Sequence, residues 1–305
     1  MVERIKPIGF FIRIMMSKSP FTNFLSLVKF SHTLFALPFA LVGFFIAIEF
    51  STHSFDLILL LKVMLCMVFA RNSAMAFNRY VDRDIDAANK RTAKTREIPR
   101  GIIKPKNALI FVLINCLLFV AVCYTINSIC FYLSPIALAV ILGYSYTKRF
   151  TVLCHLILGL GLSLAPIGAY LAVTGNFSSL PILLALSVFF WVAGFDLIYA
   201  LQDEEFDRKM NLHSIPAKIG KKNTLYLSAI FHLFTSVFMI LFSLEAQANK
   251  VFWIGSIGFI LLLIYQHLLV KPNDLSKVNL AFFTTNGIAS IIFSIFVIGS
   301  FYLPQ

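Results

Sequence analysis

Charge is what this chain has least of. Only 13% of its 305 residues are charged, about half the share that the surface of a soluble domain carries. Hydrophobic residues make up 59%, 33 residues are Phe, and the mean hydropathy is +0.86. A chain this apolar cannot hide its surface in one water-soluble core, so lipid must solvate much of it, and a polytopic membrane protein follows. Acidic residues are scarcer still, 14 against 26 basic ones. In a soluble protein the net +12 would suggest nucleic acid; in a membrane protein it reads as topology, with no nucleic-acid partner. Nothing in the sequence requires a protein partner either. Cysteine is limited to five residues without a C-x-x-C pair, which excludes a disulfide framework. Cys116, Cys123 and Cys130 recur every seven residues, but no His accompanies them, so small apolar residues on one helix face explain the spacing better than metal ligation. No A-x-A cleavage site follows the basic and apolar residues of Met1–Ser19, and Arg13 interrupts the apolar run. An interfacial amphipathic helix is expected there instead of a signal peptide, with an N-terminal interfacial segment over 1–30 and a single helical domain over 31–302.

A membrane helix needs about 20 mostly apolar residues. Nine stretches qualify: 31–50, 55–77, 107–126, 128–146, 152–173, 181–202, 224–244, 251–270 and 281–302. The break between the third and fourth rests on Asn127 and Ser128. With the N-terminus in the cytoplasm, every basic residue except Lys62, Arg71 and Lys250 falls in a cytoplasmic segment, as the distribution of Lys and Arg requires. The predicted fold is therefore an all-α bundle of nine transmembrane helices around a central cavity open to the cytoplasmic side, polar at its acidic end and apolar below. The loops after the second and sixth helices carry eight of the 14 acidic residues, and polar chemistry gathered on one membrane face points to an enzyme or a transporter.

Two segments carry that chemistry. Asn78, Asp82 and Asp86 fall on one side of a continuing helix at about 100° per residue, while Asp84 points elsewhere. Aligned carboxylates repel, so a cation belongs between them; the alternative is a solvated helix end with Arg79 and Arg83 as partners. In the second segment Asp196, Tyr199, Asp203 and Asp207 form one helical stripe. Asp196 lies about two turns inside an apolar run, where an unpaired carboxylate is expensive and a functional role is the default reading. Mg²⁺ binds through one or two carboxylates per site plus substrate phosphate oxygens. Two such ions between two acidic helices would clamp a diphosphate and make it a leaving group. Lys148 and Arg149 are placed to complete the clamp, or serve as topology anchors.

These residues resemble the UbiA-type intramembrane prenyltransferases. Asn78, Asp82 and Asp86 match that family's N-x-x-x-D-x-x-x-D motif; Asp196, Asp203 and Asp207, with Tyr199, match its D-x6-D-x3-D motif. Tyr144 through Lys148 and Arg149 resembles its Y-x-x-x-K-R segment, and Arg91, Thr92, Arg96, Pro99 and Gly101 its R-T…R…P-x-G run. The likeness spans approximately 25–300. Two departures, Thr95–Pro99 and Leu212–Pro216, look like a bacterial subgroup described as 4-hydroxybenzoate polyprenyltransferase-like. The resemblance implies an enzyme of the bacterial cytoplasmic membrane, with its active site on the cytoplasmic side, that transfers a polyprenyl group from polyprenyl diphosphate to an aromatic acid for respiratory quinones. It implies one Mg²⁺ held by Asn78, Asp82 and Asp86 and another by Asp203 and Asp207. Lys148, Arg149 and Arg91 then add positive charge, Tyr144 and Tyr199 shape the cation pocket, and Asp196 positions or deprotonates the acceptor. The expected acceptor is 4-hydroxybenzoate, activated ortho to its hydroxyl; the rival is a naphthoate-type acid of menaquinone synthesis.

Other readings were weighed against this one. An ion-coupled secondary transporter places its sites near the bilayer midplane on broken helices, whereas these carboxylates sit at helix ends. A CDP-alcohol phosphatidyltransferase lacks its D-G-x-x-A-R core here. Arg71, seven residues before Asn78, shares that residue's face and hence the cavity, where it either binds an aromatic carboxylate or pairs with an acid such as Asp196. Lys62, on the opposite face, snorkels to the external surface. His32 could face the cavity; His53, His155, His213, His232 and His267 are read as structural, since none has a second ligand at helical spacing.

Overall fold

The structure is a computed structural model that describes residues 20–28 and 35–303; the interfacial helix expected over Met1–Ser19 lies outside the described residues, as does His32. In chain order the α-helices are α1 Pro20–Leu27, α2 Leu37–Glu49, α3 Leu57–Val81, α4 Arg83–Ala88, α5 Lys90–Ala93, α6 Pro105–Tyr124, α7 Ser128–Thr147, α8 Cys154–Thr174, α9 Ser179–Ala200, α10 Glu204–Lys209, α11 Ile215–Glu245, α12 Lys250–Leu269 and α13 Asn286–Ser300. Among the described residues the only extended pairing is an isolated bridge between Lys271 and Asp274.

Among the described residues, eight helical stretches are long and apolar enough to cross a membrane: α3, α6, α7, α8, α9 through α10, α11, α12, and Leu280–Ser300 ending in α13. The protein is an all-helical integral membrane protein. The first of the nine expected spans is represented by α2, whose 13 residues extend about 20 Å, short of the roughly 30 Å hydrocarbon core; residues 29–34 before it lie outside the described residues.

Polar side chains set the helix starts. The Asp56 carboxylate accepts from Ile58 and Leu59 N–H at 2.7 and 3.2 Å and opens α3. Asn127 opens α7 by accepting from Cys130 N–H at 2.9 Å, while its amide donates to the Leu171 carbonyl at 2.8 Å. The Asn127–Ser128 break predicted from sequence is thus a helix cap, and it puts Cys130 on a different helix from Cys116 and Cys123, so the three do not share one face. Two bounds differ from expectation. Helix α11 begins at Ile215, not 224, because Ser214 caps it and Pro216 follows in its first turn; Gly220, at φ 76°, breaks the segment before the spanning part. The last helix opens with a π-turn over Leu280–Thr285.

Lipid offers no hydrophobic drive between helices, so close packing and buried polar contacts hold the bundle. The core is aromatic. Trp191 of α9 is fully buried, and its ring centroid lies 5.0 Å from Phe39, 5.0 Å from Phe195 and 5.5 Å from Phe259. Its indole N–H donates to Asn286 Oδ1 at 2.9 Å, satisfying a donor with no water in reach. Helix α2 lies against α8 where Gly43 meets Pro166: a Cβ on Gly43 would stand 2.4 Å from the Pro166 carbonyl oxygen. Gly43→Ala forces the two backbones apart and should destabilise by about 1–3 kcal/mol, read as a lower thermal midpoint in detergent. Gly299→Ala, with nothing within 4 Å of the new methyl, should leave the midpoint unchanged.

Candidate active site

Both acidic motifs sit where helices break. Continuous helices through Asn78–Asp86 and Asp196–Asp207 were expected, and the structure corrects this. Helix α3 ends at Val81, Asp82 adopts φ −88° and ψ 7°, and α4 resumes at Arg83. The break is shallow, since Asp82 N–H still donates to Asn78 O and Asp86 N–H to Asp82 O, at 2.9 and 2.7 Å. In the second motif α9 ends at Ala200, a 3₁₀ turn covers Leu201–Asp203, and α10 follows. Charged groups crowded at an apolar helix end favour this tightening, because it turns carboxylates away from lipid.

The buried Asp82 carboxylate gathers the first cluster. Lys148 Nζ lies 2.8 Å from Oδ2, Asn78 Nδ2 donates to the same oxygen at 3.0 Å, and an Arg149 nitrogen lies 3.7 Å from Oδ1. Arg149 also donates to the Val81 carbonyl at 2.7 Å. Lys148 and Arg149 are therefore partners of the motif as well as charges at a helix end. Arg79 is buried against Asn78, donating to Oδ1 at 3.3 Å, and Arg83 reaches only Asp84 and the Tyr80 carbonyl; neither is the direct partner of Asp82. Asp84 is exposed, as expected. Asp86 is buried with Arg96 at 4.0 Å, and burial pushes its carboxyl above the usual carboxylate range.

The second cluster is tied to the first by the intervening loop. Arg91 forms an ion pair with Asp203 through both carboxylate oxygens and donates to the Tyr199 hydroxyl at 3.1 Å. Asn89 Nδ2 also donates to Asp203, at 2.9 Å. Burial works to lower the Arg91 pKa, but the hydrogen-bonded Asp203 and Tyr199 outweigh it and raise the pKa above its ordinary value. Asp207 is half-buried, accepts from Ser214, and lies within electrostatic reach of Asp203 and Lys148. The His213 N–H donates to the Lys148 carbonyl at 2.7 Å, fastening the second acidic loop to the Lys-Arg turn.

Beneath these groups a cavity of about 550 Å³ runs between α3, α6, α7, α8 and α9. Its lining on α3 extends from Val63 to Arg79, about 24 Å at the helical rise. The lining includes Asn78, Tyr144, Asp196 and Tyr199 at one end, and Arg71 deeper along α3; the rest is mostly apolar. Arg71 and Asn78 line the same cavity. The Tyr199 ring stacks on Phe282 of the π-turn, centroids 4.2 Å apart. Asp196 Oδ2 lies 2.7 Å from His155 Nδ1. Lys62, at the far end, is exposed and donates to the Thr125 carbonyl at 2.8 Å. Sequence reasoning missed Asn89, for which the sequence holds no signal, and His155, whose signal was an ionisable residue beside an apolar run, as for Asp196.

The donor set suits a hard divalent cation. Asp82 Oδ1 and Asp86 Oδ2 are buried and accept no hydrogen bond, with Arg149 at 3.7 Å and Arg96 at 4.0 Å. Among the described residues no three acidic, thiol or imidazole groups converge into a ready-made cage. That agrees with an ion held by one or two carboxylates and completed by substrate phosphate oxygens.

A helical membrane bundle with paired acidic motifs, basic side chains between them and a long apolar cavity below defines an intramembrane enzyme for a substrate with an anionic head and a hydrocarbon tail. Residues 36–288 match the UbiA prenyltransferase family, and the chain belongs to that family as a transferase of prenyl groups. It is 29% identical over 238 residues to a 4-hydroxybenzoate octaprenyltransferase of Aliivibrio fischeri, covering 77% of this chain and 81% of the relative. It is 30% identical to that of Tolumonas auensis, covering 77% and 82%. Among solved structures, a UbiA homologue from Aeropyrum pernix superposes with a TM-score of 0.79 at 31% identity, covering 88% of this chain and 97% of that one. A homologue from Archaeoglobus fulgidus bound to GPP and Mg²⁺ shares the fold, with a TM-score of 0.69 at 23% identity, over 92% and 100% of the two chains.

Removing Lys148 leaves a buried carboxylate short of its nearest cation. With Arg149 still 3.7 Å away, Lys148→Ala should cost about 1–3 kcal/mol of stability. The loss should be largely recovered in the double variant with Asp82→Asn, as measured by thermal unfolding in detergent.

Proposed function

We propose that the protein transfers a polyprenyl group from polyprenyl diphosphate to an aromatic acid, 4-hydroxybenzoate in the first instance, in an Mg²⁺-dependent reaction at the cytoplasmic face of a bacterial inner membrane. The observation that carries this reading is the junction of the two acidic motifs through Arg91 and Asn89 directly over an apolar cavity. An allylic diphosphate needs that pairing: charge for its head, hydrocarbon for its tail. The names of the bacterial relatives support the acceptor.

In this reading Asn78, Asp82 and Asp86 hold one cation and Asp203 and Asp207 a second. Bound Mg²⁺ supplies charge neutralisation for the diphosphate. Lys148, Arg149 and Arg91 bind the diphosphate oxygens and take up the charge that accumulates as the allylic C–O bond breaks with its electron pair. Tyr144 and Tyr199 present ring faces to the developing allylic cation, and the closed apolar walls below keep water from it. Arg71 anchors the acceptor carboxylate, and Asp196 receives the proton that the acceptor gives up.

Purified protein with Mg²⁺, a polyprenyl diphosphate and a panel of aromatic acids tests this, with products identified by mass. Prenylated 4-hydroxybenzoate is expected; products from naphthoates alone would replace the acceptor, and diphosphate untouched by every acid would overturn the reading. Asp82→Ala and Asp207→Ala should each lower kcat at least about 100-fold with expression intact, and chelation should abolish turnover until Mg²⁺ is restored. Arg71→Ala should raise KM for the aromatic acid about 10- to 100-fold; an unchanged KM would remove Arg71 as its anchor.

A further inference from the structure

Asp196 stands at the cavity wall with a histidine beside it. The carboxylate is about one-fifth exposed and lines the cavity. His155, in the first turn of α8, is 5% exposed and is not among the residues that line the cavity. Their contact, Nδ1 to Oδ2 at 2.7 Å, has the length of a charge-assisted bond. With Asp196 ionised the carboxylate only accepts, and the imidazole donates from Nδ1. The other ring nitrogen, Nε2, is buried without a partner. The whole polar capacity of His155 is therefore spent on one oxygen of Asp196, and the second oxygen, Oδ1, lies outside that bond.

The physical need for the histidine follows from where Asp196 lies. Nearly two helical turns separate it from Asp203, and its neighbours along α9 are Phe195, Leu197 and Ile198, all buried. A carboxylate lodged among apolar side chains needs a hydrogen-bond donor beside it. As a neutral acid it cannot take a proton from a substrate. Lys148 and Arg149 are engaged with Asp82 and Arg91 with Asp203, so the partner within hydrogen-bond distance of Asp196 is His155.

We propose that His155 is a positioning residue for acceptor activation: its Nδ1–H holds Asp196 as a carboxylate with Oδ1 free to act as general base toward the aromatic hydroxyl. This rests on the reading of an aromatic acceptor given above. As the ortho ring carbon bonds the prenyl carbon, the C–O electron pair leaves with the diphosphate. The hydroxyl proton passes to Asp196 Oδ1, and the O–H electron pair becomes the C=O bond of a dienone. The released diphosphate takes the ring proton, and return of the Asp196 proton to the oxygen restores the phenol. One proton is released per turnover.

Two substitutions separate this role from packing. His155→Leu removes the donor; His155→Asn keeps one, since its amide nitrogen falls close to the place of Nδ1. The leucine variant should lose at least about 30-fold in kcat with the aromatic acid, with KM for the prenyl diphosphate within about twofold of wild type. The asparagine variant should stay within about tenfold of wild-type kcat. In an Asp196→Asn background, His155→Leu should cause no further loss. Wild-type kcat in the leucine variant, equal losses in both variants, or additive losses in the double variant would each overturn the proposal. Should the leucine variant fail to fold, the asparagine variant decides: a loss beyond tenfold overturns it. A readout independent of turnover is the infrared difference spectrum of protein carrying ¹³C-labelled aspartate, wild type minus Asp196→Asn. A carboxylate band is expected in wild type and His155→Asn, and a carboxylic-acid band in its place in His155→Leu. A carboxylic-acid band in wild type, or a carboxylate band surviving in His155→Leu, also overturns it. If the protein prenylates no aromatic acid at all, the functional reading fails while the infrared result still decides the His155–Asp196 relation.

Discussion

Carboxylates lodged at the ends of apolar helices cannot remain unpaired, and this electrostatic constraint organises the polar end of the bundle. Asp82 draws in Lys148 and Arg149, Asp203 draws in Arg91, Asp86 lies beside Arg96, and Asp196 bonds His155. These cations come from different places in the chain: the turn after α7, the loop around α5, and the start of α8. Each pairing therefore fastens one segment to another. Remove the acids and the loop from Asn89 to Arg96 would have no reason to fold over the end of α9. Buried ion pairs contribute little net stability once desolvation is counted, but they specify one arrangement against its alternatives.

The same pairing serves chemistry on an anionic substrate. The polar end already holds lysine and arginine beside the acids, and two buried carboxylate oxygens there, Asp82 Oδ1 and Asp86 Oδ2, accept no hydrogen bond. Preorganised charge of this kind loses little to rearrangement at the moment of bond breaking. The apolar cavity below complements it, because a hydrocarbon tail gains nothing from the polar end and much from the wall between α3, α7 and α8. The π-turn over Leu280–Thr285 joins the two regions. Asn286 takes the Trp191 N–H and donates to the Phe282 carbonyl at 2.9 Å, so the aromatic core fixes the ring on which Tyr199 stacks. Single π-turns inside helices recur at functional sites for this reason: the extra residue re-aims a side chain.

Composition and local pattern determined much of this protein. Hydropathy alone gave the apolar spans from α3 to α13, because lipid demands about 20 apolar residues whatever the tertiary fold. Charge spacing gave the two acidic motifs, and the i to i+7 offset put Arg71 on the cavity side with Asn78; such features depend only on helix geometry, which the sequence carries locally. The tertiary structure alone decided which cation meets which acid. Asp203 and Arg91 are separated by more than a hundred residues, and His155 and Asp196 by 41. A pairing across the bundle depends on how helices cross and where they break, and neither Asp82 nor the 3₁₀ turn at Leu201–Asp203 announces its break in the hydrophobic pattern. Lys148 reads from sequence as either a topology anchor or a site residue, since both roles place a cation at the same helix end. Only the position of the Asp82 oxygens, set by the packing of α3 and α7, shows that it meets an acid of the first motif.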